Sequence, residues 1–148
     1  MVNITIRQIS LNDKVIWLDL FKQYIIFYKS KLTDEQYELT WARINSDFNM
    51  HGLLAEVDGI PVGLAHYIFR PDTWEVEEFC YLEDLFVDPK VRGAGIGRAL
   101  IKAVEEIAVA KGSKRLYWTT APDNLPARGL YEKIAVSDRV QYKIYLNQ

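Results

Sequence analysis

The stretch EEFCYLEDLFVDPKVRGAGIGRALIKAV, residues 77–104, constrains the fold more than any other part of the chain. Its first eleven residues read as one long strand. Asp88-Pro89 stops it, because proline has no N–H to give to a sheet ladder. Gly93, Gly95 and Gly97 follow, and a helix opens over Gly95 to Lys111. Ile96, Ala99, Leu100, Ala103, Val104, Ile107 and Ala108 recur there at helical spacing and form one stripe. Arg98, Lys102, Glu105 and Glu106 lie largely off it. A strand that runs through glycines straight into an amphipathic helix belongs to an α/β arrangement.

The flanking segments extend this pattern. ITIRQI alternates as a first strand, and Asn12 or Asp13 can cap a helix from about Lys14 to Lys29. LTDEQYELTWARI reads as a second helix, with Thr33 and Gln36 at capping-box spacing and Tyr37, Trp41 and Ile44 on one face. GLLAEVDGIPVGLAHYIF is a hairpin about Asp58-Gly59, a dipeptide that favours tight turns. Gly112 stands where a glycine ends a helix. RLYWTT is a further strand, DNLPARGLYEK a short helix with Pro126 in its first turn, and VQYKIYL a closing strand. No repeat or linker interrupts residues 1–148, which read as a single domain.

Composition removes several function classes. A net charge of −2 provides no general field for nucleic acid. The most apolar stretch, VIWLDLFKQYIIFY, is interrupted by Asp19, Lys22 and Gln23 and is too short for a membrane span. The start of the chain lacks the pattern of a signal peptide. The one cysteine, Cys80, fits a reducing, cytoplasmic setting, and Cys80, His51 and His66 have no metal-ligand spacing.

The glycine loop points to a phosphate ligand. The first N–H groups of a helix lack intrahelical partners, and glycines let a ligand approach them. Arg92 and Arg98 add donors suited to phosphate oxygens. No Lys-Ser or Lys-Thr follows, as a P-loop requires. Gly93 and Gly95 begin a GxGxxG pattern, but Arg98 takes the place of its last glycine, and no acid stands near Tyr117, about twenty residues on.

The segment DLFVDPKVRGAGIGRALIKAV resembles the acetyl-CoA binding motif of GNAT-type N-acetyltransferases, [RQ]xxGx[GA], with Arg92, Gly95 and Gly97 at its fixed positions. YLEDLFV and DNLPARGLYEK further resemble the branch of diamine and polyamine acetyltransferases. The resemblance implies a mixed, mostly antiparallel sheet of about six to seven strands, flanked by about four helices. It implies acetyl-CoA as co-substrate, no metal, and a homodimer. The backbone of Arg92, Gly93, Ala94, Gly95, Ile96, Gly97 and Arg98 would take the pyrophosphate. Leu85, Phe86 and Val87 would lie along the pantetheine arm, and Asn124 would touch the coenzyme. The chain departs from the family at Ile134-Ala135-Val136, where many members have a glycine–aromatic pair after LYEK.

Making an amide from an amine and a thioester requires a neutral amine, donors for an oxyanion and a proton for the leaving sulfur. Glu83 is the candidate base. It is expected semi-buried on one strand face with Tyr81, Leu85 and Val87, with Leu82, Asp84 and Phe86 on the other. Glu83 can equally pair with an arginine or anchor a cationic substrate. The resemblance makes Tyr131, in LYEK, the acid. The oxyanion donor would be a backbone N–H near Leu85 to Val87, which requires the strand to bulge or splay. Cys80 offers an alternative route through an acetyl-cysteine.

Charge separates along the chain. Residues 71–90 hold seven acids and one base, whereas residues 91–115 hold six bases and two acids. The basic part suits a phosphorylated coenzyme and the acidic part a cationic amine, with Glu83 and Asp84 inside the strand as substrate-binding candidates. The expected acceptor is a small diamine or polyamine. The alternatives are a protein lysine, or a non-catalytic acyl-CoA sensor that would need neither Glu83 nor Tyr131. Trp17, Phe21, Tyr24, Phe27, Tyr28, Tyr142 and Tyr145 could supply a dimer interface.

Overall fold

The hairpin about Asp58-Gly59 sets up the sheet. Both residues adopt positive φ, 51° and 84°, which matches the tight turn that joins twisted antiparallel strands. In this computed structural model, which describes residues 3–147, the hairpin joins β2 (Met50–Val57) to β3 (Ile60–Arg70). β1 (Ile4–Gln8) pairs antiparallel with β2, and β4 (Phe79–Val87) pairs antiparallel with β3. β5 (Leu116–Tyr117) pairs parallel with β4, which gives the order β1-β2-β3-β4-β5. The backbone divides into two units, Met1–Trp118 and Thr119–Gln148, and the whole sheet lies in the first.

Helices cover both faces of the sheet. α1 (Lys14–Phe27) and α2 (Asp34–Ile44) pack on one face, where Trp17, Leu20, Phe21, Tyr37 and Trp41 meet Leu54, Leu64 and Phe86. Each such side chain, fully buried, contributes roughly 1.5–3 kcal/mol. α3 (Ile96–Ala110) covers the other face through Ile96, Leu100, Ile101, Val104 and Ala108. Gly63 faces α3, where a Cβ would sit 3.5 Å from Leu100, while its neighbour Leu64 faces the Trp17 cluster.

Local signals in the sequence are realised at α2 and α3. Thr33 and Gln36 form the reciprocal capping box: Thr33 N–H donates to Gln36 Oε1 at 2.7 Å, and Gln36 N–H donates to Thr33 Oγ1 at 3.2 Å. Gly112 at φ 83° ends α3, and Ser113 N–H returns to the Ala108 carbonyl.

Two elements are shorter than expected. RLYWTT forms a ladder only at Leu116 and Tyr117. In the second unit α4 (Leu125–Ile134) forms as expected, with Pro126 in its first turn, but residues 140–146 form no strand. Alternation alone does not make a strand, since its backbone needs a ladder partner, and this unit contains no other strand among the described residues. The sheet therefore has five strands, not six or seven.

Asp13 does not cap α1 as expected. Its carboxylate accepts from Ser10 N–H at 2.8 Å and meets the Arg7 guanidinium in a forked pair at 2.8 and 2.9 Å. Arg7 also donates to Glu56 at 3.1 Å, tying β1, β2 and the start of α1 together. The guanidinium holds the Asp13 carboxyl at about 2, against the usual carboxylate range. A depressed carboxyl pKa stabilises the fold above the unfolded value and loses that effect as pH falls through the folded value. Asp13→Asn is therefore expected to cost about 2 kcal/mol near neutral pH. Urea melts at several pH values should show the difference from wild type shrinking between about pH 4 and 2.

Candidate active site

The register of β3 against β4 breaks once. His66 pairs with Asp84 and Tyr67 with Leu82, so Glu83 is an extra residue on β4, a β-bulge. The simple alternation expected for YLEDLFV therefore fails. Tyr67 and His66 are neighbours on β3 and face opposite ways, so Leu82 and Asp84 lie on opposite faces. Asp84 and Phe86 share the α1 side, and the bulge adds Glu83 beside them.

β4 also parts from β5. Their ladder holds only Cys80↔Leu116 and Tyr81↔Tyr117. From Leu82 to Val87 the edge of β4 that faces away from β3 has no strand partner in the sheet. Main-chain groups on that edge, the Val87 carbonyl apart, have no ladder to satisfy them and can pair with an extended ligand or meet an oxyanion. The opening begins at the bulge, somewhat before the Leu85–Val87 stretch where it was expected.

Glu83 is exposed at the surface rather than semi-buried. Desolvation by surrounding protein still raises its carboxyl pKa, and neighbouring Asp84 adds to the effect. The carboxylate of Asp84 is 18% exposed and lies 2.9 Å from His66 Nδ1. Tyr24 on α1 lies close enough to feel the charge of Asp84. Tyr24 is held well above the usual phenol range, first by burial and then by the charge of Asp84, so its proton stays on oxygen as a donor.

The glycine loop leaves β4 at Asp88, whose side chain accepts from Lys90 N–H at 3.0 Å over a short 3-10 turn. Gly93 and Gly95 adopt φ 89° and 81°, in the left-handed region that disfavours a side chain, and nothing lies within 4 Å of where a Cβ would stand. Gly95 precedes α3, and no side chain caps that helix. The first amides of α3 thus open onto an unobstructed backbone cradle, the arrangement that suits a phosphate. Ala94 and Arg98 are exposed beside it, while the Ile96 side chain is buried in the core, leaving only its backbone for a ligand.

The side chains of the residues expected along the coenzyme are placed in different ways. The Phe86 side chain is buried in the Trp17 cluster, so only its backbone is available to a pantetheine arm. Leu85, which pairs with Ala65, is partly buried. Arg92 turns back: its Nε donates to the Val87 carbonyl at 3.0 Å, and its guanidinium lies over Phe27 and Phe86. Gly97 lies beside Val87, where a Cβ would be 3.9 Å from the Val87 methyl.

Cys80 is fully buried, and burial pushes its thiol up to about 12, so it is a core side chain rather than a nucleophile. Trp17 and Phe21 are also interior, because the α1 face on which they lie packs directly on the sheet, and they are unavailable to a dimer interface. Phe27 and Tyr28 remain exposed. In the second unit Tyr131 lies on α4, and Asn124 precedes that helix with its side-chain amide donating to Thr120 Oγ1 at 3.2 Å. The sequence reading missed Tyr24 as a neighbour of Asp84. The only sign of it was a tyrosine on the face of α1 that packs on β4.

Among the described residues no cluster of His, Cys, Asp and Glu is placed to hold a metal ion, and no helix is long and apolar enough to cross a membrane. The fold is shared with an aminoglycoside N-acetyltransferase, AAC(6')-Iy, solved in complex with CoA, at a TM-score of 0.85 and 22% identity over 100% of this chain and 97% of that one. In sequence the chain is 37% identical to the D-amino-acid N-acetyltransferase HPA3 of Saccharomyces cerevisiae, over 97% of this chain and 92% of that protein. It is 36% identical to the thialysine N-epsilon-acetyltransferase of Bos taurus, over 60% of this chain and 56% of that protein. The sequence pattern of the Acetyltransferase (GNAT) family matches residues 17–135. A bulged β4 that parts from its neighbour and runs into an uncapped glycine loop therefore has a family: the chain belongs to the GNAT acetyltransferases and is an acetyl-CoA-dependent N-acetyltransferase.

Proposed function

We propose that this protein moves the acetyl group of acetyl-CoA to a small cationic primary amine, of the diamine or polyamine kind, by direct attack within a ternary complex. The observation that carries the reading is the opening of β4. Two carboxylates, Glu83 and Asp84, stand where the strand bulges and loses its β5 partner, and the glycine cradle follows at the end of the same strand. One element thus presents anions for the amine, free main-chain groups for the thioester, and a phosphate site for the coenzyme. The names of the relatives are in keeping with an amino group as acceptor.

In this reading the ammonium approaches Glu83 and Asp84, and Glu83 takes one proton from it, directly or through water. The neutral nitrogen attacks the thioester carbon, and the carbonyl electrons move to oxygen, which is met by a main-chain N–H on the open edge of β4. Collapse restores the carbonyl and breaks the carbon–sulfur bond. The nitrogen loses its second proton to solvent as the amide forms, and the departing sulfur gains one. The resemblance of LYEK makes Tyr131 the donor of that proton. The coenzyme lies with its pantetheine along Leu85 to Val87 and its pyrophosphate on residues 92–98, and the resemblance adds Asn124 to its contacts. The setting is read as cytoplasmic and the assembly as a homodimer, for which exposed Phe27 and Tyr28 offer apolar surface.

Gly95→Glu is expected to weaken coenzyme binding at least a hundredfold by calorimetry. The site has room for a Cβ, so the fold should lose only the roughly 1–2 kcal/mol of a left-handed non-glycine residue. Wild-type affinity in that variant would remove the phosphate-loop assignment.

Glu83→Gln is expected to lower kcat by roughly 10²- to 10⁴-fold. A base works when ionised, so wild-type kcat/KM for the amine should fall as pH drops through the raised carboxyl pKa. The variant should lose that acidic limb. An unchanged profile would make Glu83 an anchor only.

Tyr131→Phe is expected to reduce turnover while coenzyme affinity stays within about threefold of wild type. Parallel loss of both would make Tyr131 structural. Thiol release against putrescine, spermidine, free lysine, aminoglycosides and a lysine-rich peptide identifies the acceptor class. Turnover with the peptide alone would favour a protein lysine. Tight coenzyme binding without turnover of any amine would favour an acyl-CoA sensor.

A further inference from the structure

His66 is placed where packing alone would call for an apolar side chain. It follows Leu64 on the same face of β3 and is 3% exposed. Phe21 lies edge-on to its ring at 4.8 Å, and Trp17 lies at 6.0 Å. Gly52 stands beside it on β2, where even a Cβ would come within 3.4 Å of the imidazole and 2.4 Å of Ile9. A buried imidazole is costly unless both of its nitrogens are satisfied, and a leucine would fill the same space without that demand.

Both nitrogens are satisfied, in an order that fixes the proton. Trp17 Nε1–H donates to His66 Nε2 at 2.9 Å, and both residues are buried. An indole can only donate, so Nε2 must accept and carries no proton. The proton is then on Nδ1, which lies 2.9 Å from Asp84 Oδ2 and donates to it. The ring is therefore neutral, with its donor aimed at the carboxylate. The pair His66↔Asp84 is also the last in register before the bulge residue Glu83, so the contact sits at the point where the strand changes direction.

We infer that His66, locked by Trp17 as the Nδ1–H tautomer, is a positioning residue that holds the Asp84 carboxylate fixed in direction to receive the ammonium of the acceptor. The inference rests on the amine-acetyltransferase reading and divides the two neighbouring carboxylates by task. Asp84 is held by the His66 donor on the protein side and binds the cation, whereas Glu83, on the bulge, accepts the proton. An unheld Asp84 would be free to turn into solvent, and an ammonium would have to pay for its ordering on binding.

Two measurements test the inference. In the first, long-range ¹H–¹⁵N spectra of the ligand-free wild-type protein report the tautomer directly. The expected result is a protonated Nδ1 and an unprotonated Nε2 for His66, assigned with His66→Asn. A protonated Nε2 would overturn the proposal, and so would a doubly protonated ring.

In the second, steady-state kinetics compare His66→Leu with His66→Asn, because the asparagine amide can place an N–H close to the position of Nδ1. His66→Leu is expected to raise KM for the amine at least tenfold, leaving kcat and the acetyl-CoA KM within about threefold of wild type. His66→Asn should restore the amine KM to within about threefold. Equal defects in the two variants would overturn the positioning role, as would a parallel rise in the acetyl-CoA KM. Should the leucine variant fold poorly, His66→Met removes the same donor with a side chain that adapts to the space, with a rise of at least tenfold in the amine KM expected and no rise contrary to the proposal. Failure of the wild-type protein to acetylate any amine would instead count against the functional reading, which separates that failure from one of the histidine lock.

Discussion

The pairing of β3 with β4 governs what the rest of the molecule can present. At Gly63 the two strands come so close that a single added carbon would stand 2.9 Å from the Phe86 carbonyl oxygen. Three residues further along β3, the ladder admits one residue too many at Glu83. Tight pairing at one end and a bulge at the other bend β4 locally and increase its twist, as bulges do. The strand's only partner on the far side, β5, holds just Cys80 and Tyr81. The free edge that follows is a direct product of that geometry. A flat, fully paired β4 would satisfy all its backbone groups internally and have none to spare for a ligand.

The two helical layers make this arrangement affordable. α1 and α2 supply an aromatic core in which Trp17 touches Phe21 and Trp41, with ring centres 5.4 and 5.0 Å apart. The same Trp17 spends its one polar atom on His66. Core packing and polar organisation are thus carried by one side chain. On the other face the strong amphipathic stripe of α3 anchors the helix so that its first turn can remain uncapped at no great risk to the fold.

Much of this was legible in the sequence, for identifiable reasons. The Asp58-Gly59 turn, the Thr33–Gln36 box, the Pro89 stop and the Gly112 cap are local devices whose chemistry acts over a few residues, and each appears where it was read. The glycine cradle was legible because glycine adopts the φ values found at residues 93 and 95 without the penalty that a side chain brings. The bulge was not, since an extra residue in a ladder is defined by its partner strand, and YLEDLFV alternates plausibly without it. The closing strand was over-read for the same reason: VQYKIYL has the pattern but, in its own unit, no ladder. The His66–Asp84 contact joins residues eighteen apart in sequence, and only the register of two strands brings them together.

The bulge also has a meaning for how such a sheet can change over time. Removing the residue at position 83 would leave Leu82 opposite Tyr67 and Asp84 opposite His66, a regular ladder with every other contact intact. Exchanges of side chain along β4 alter what the opening binds, but a one-residue shortening would close the distortion itself. The length of β4, counted against β3, is therefore a separate inherited trait from its composition. A lineage could keep this fold and lose the distortion of β4 through a single codon deletion that leaves the hydrophobic core untouched.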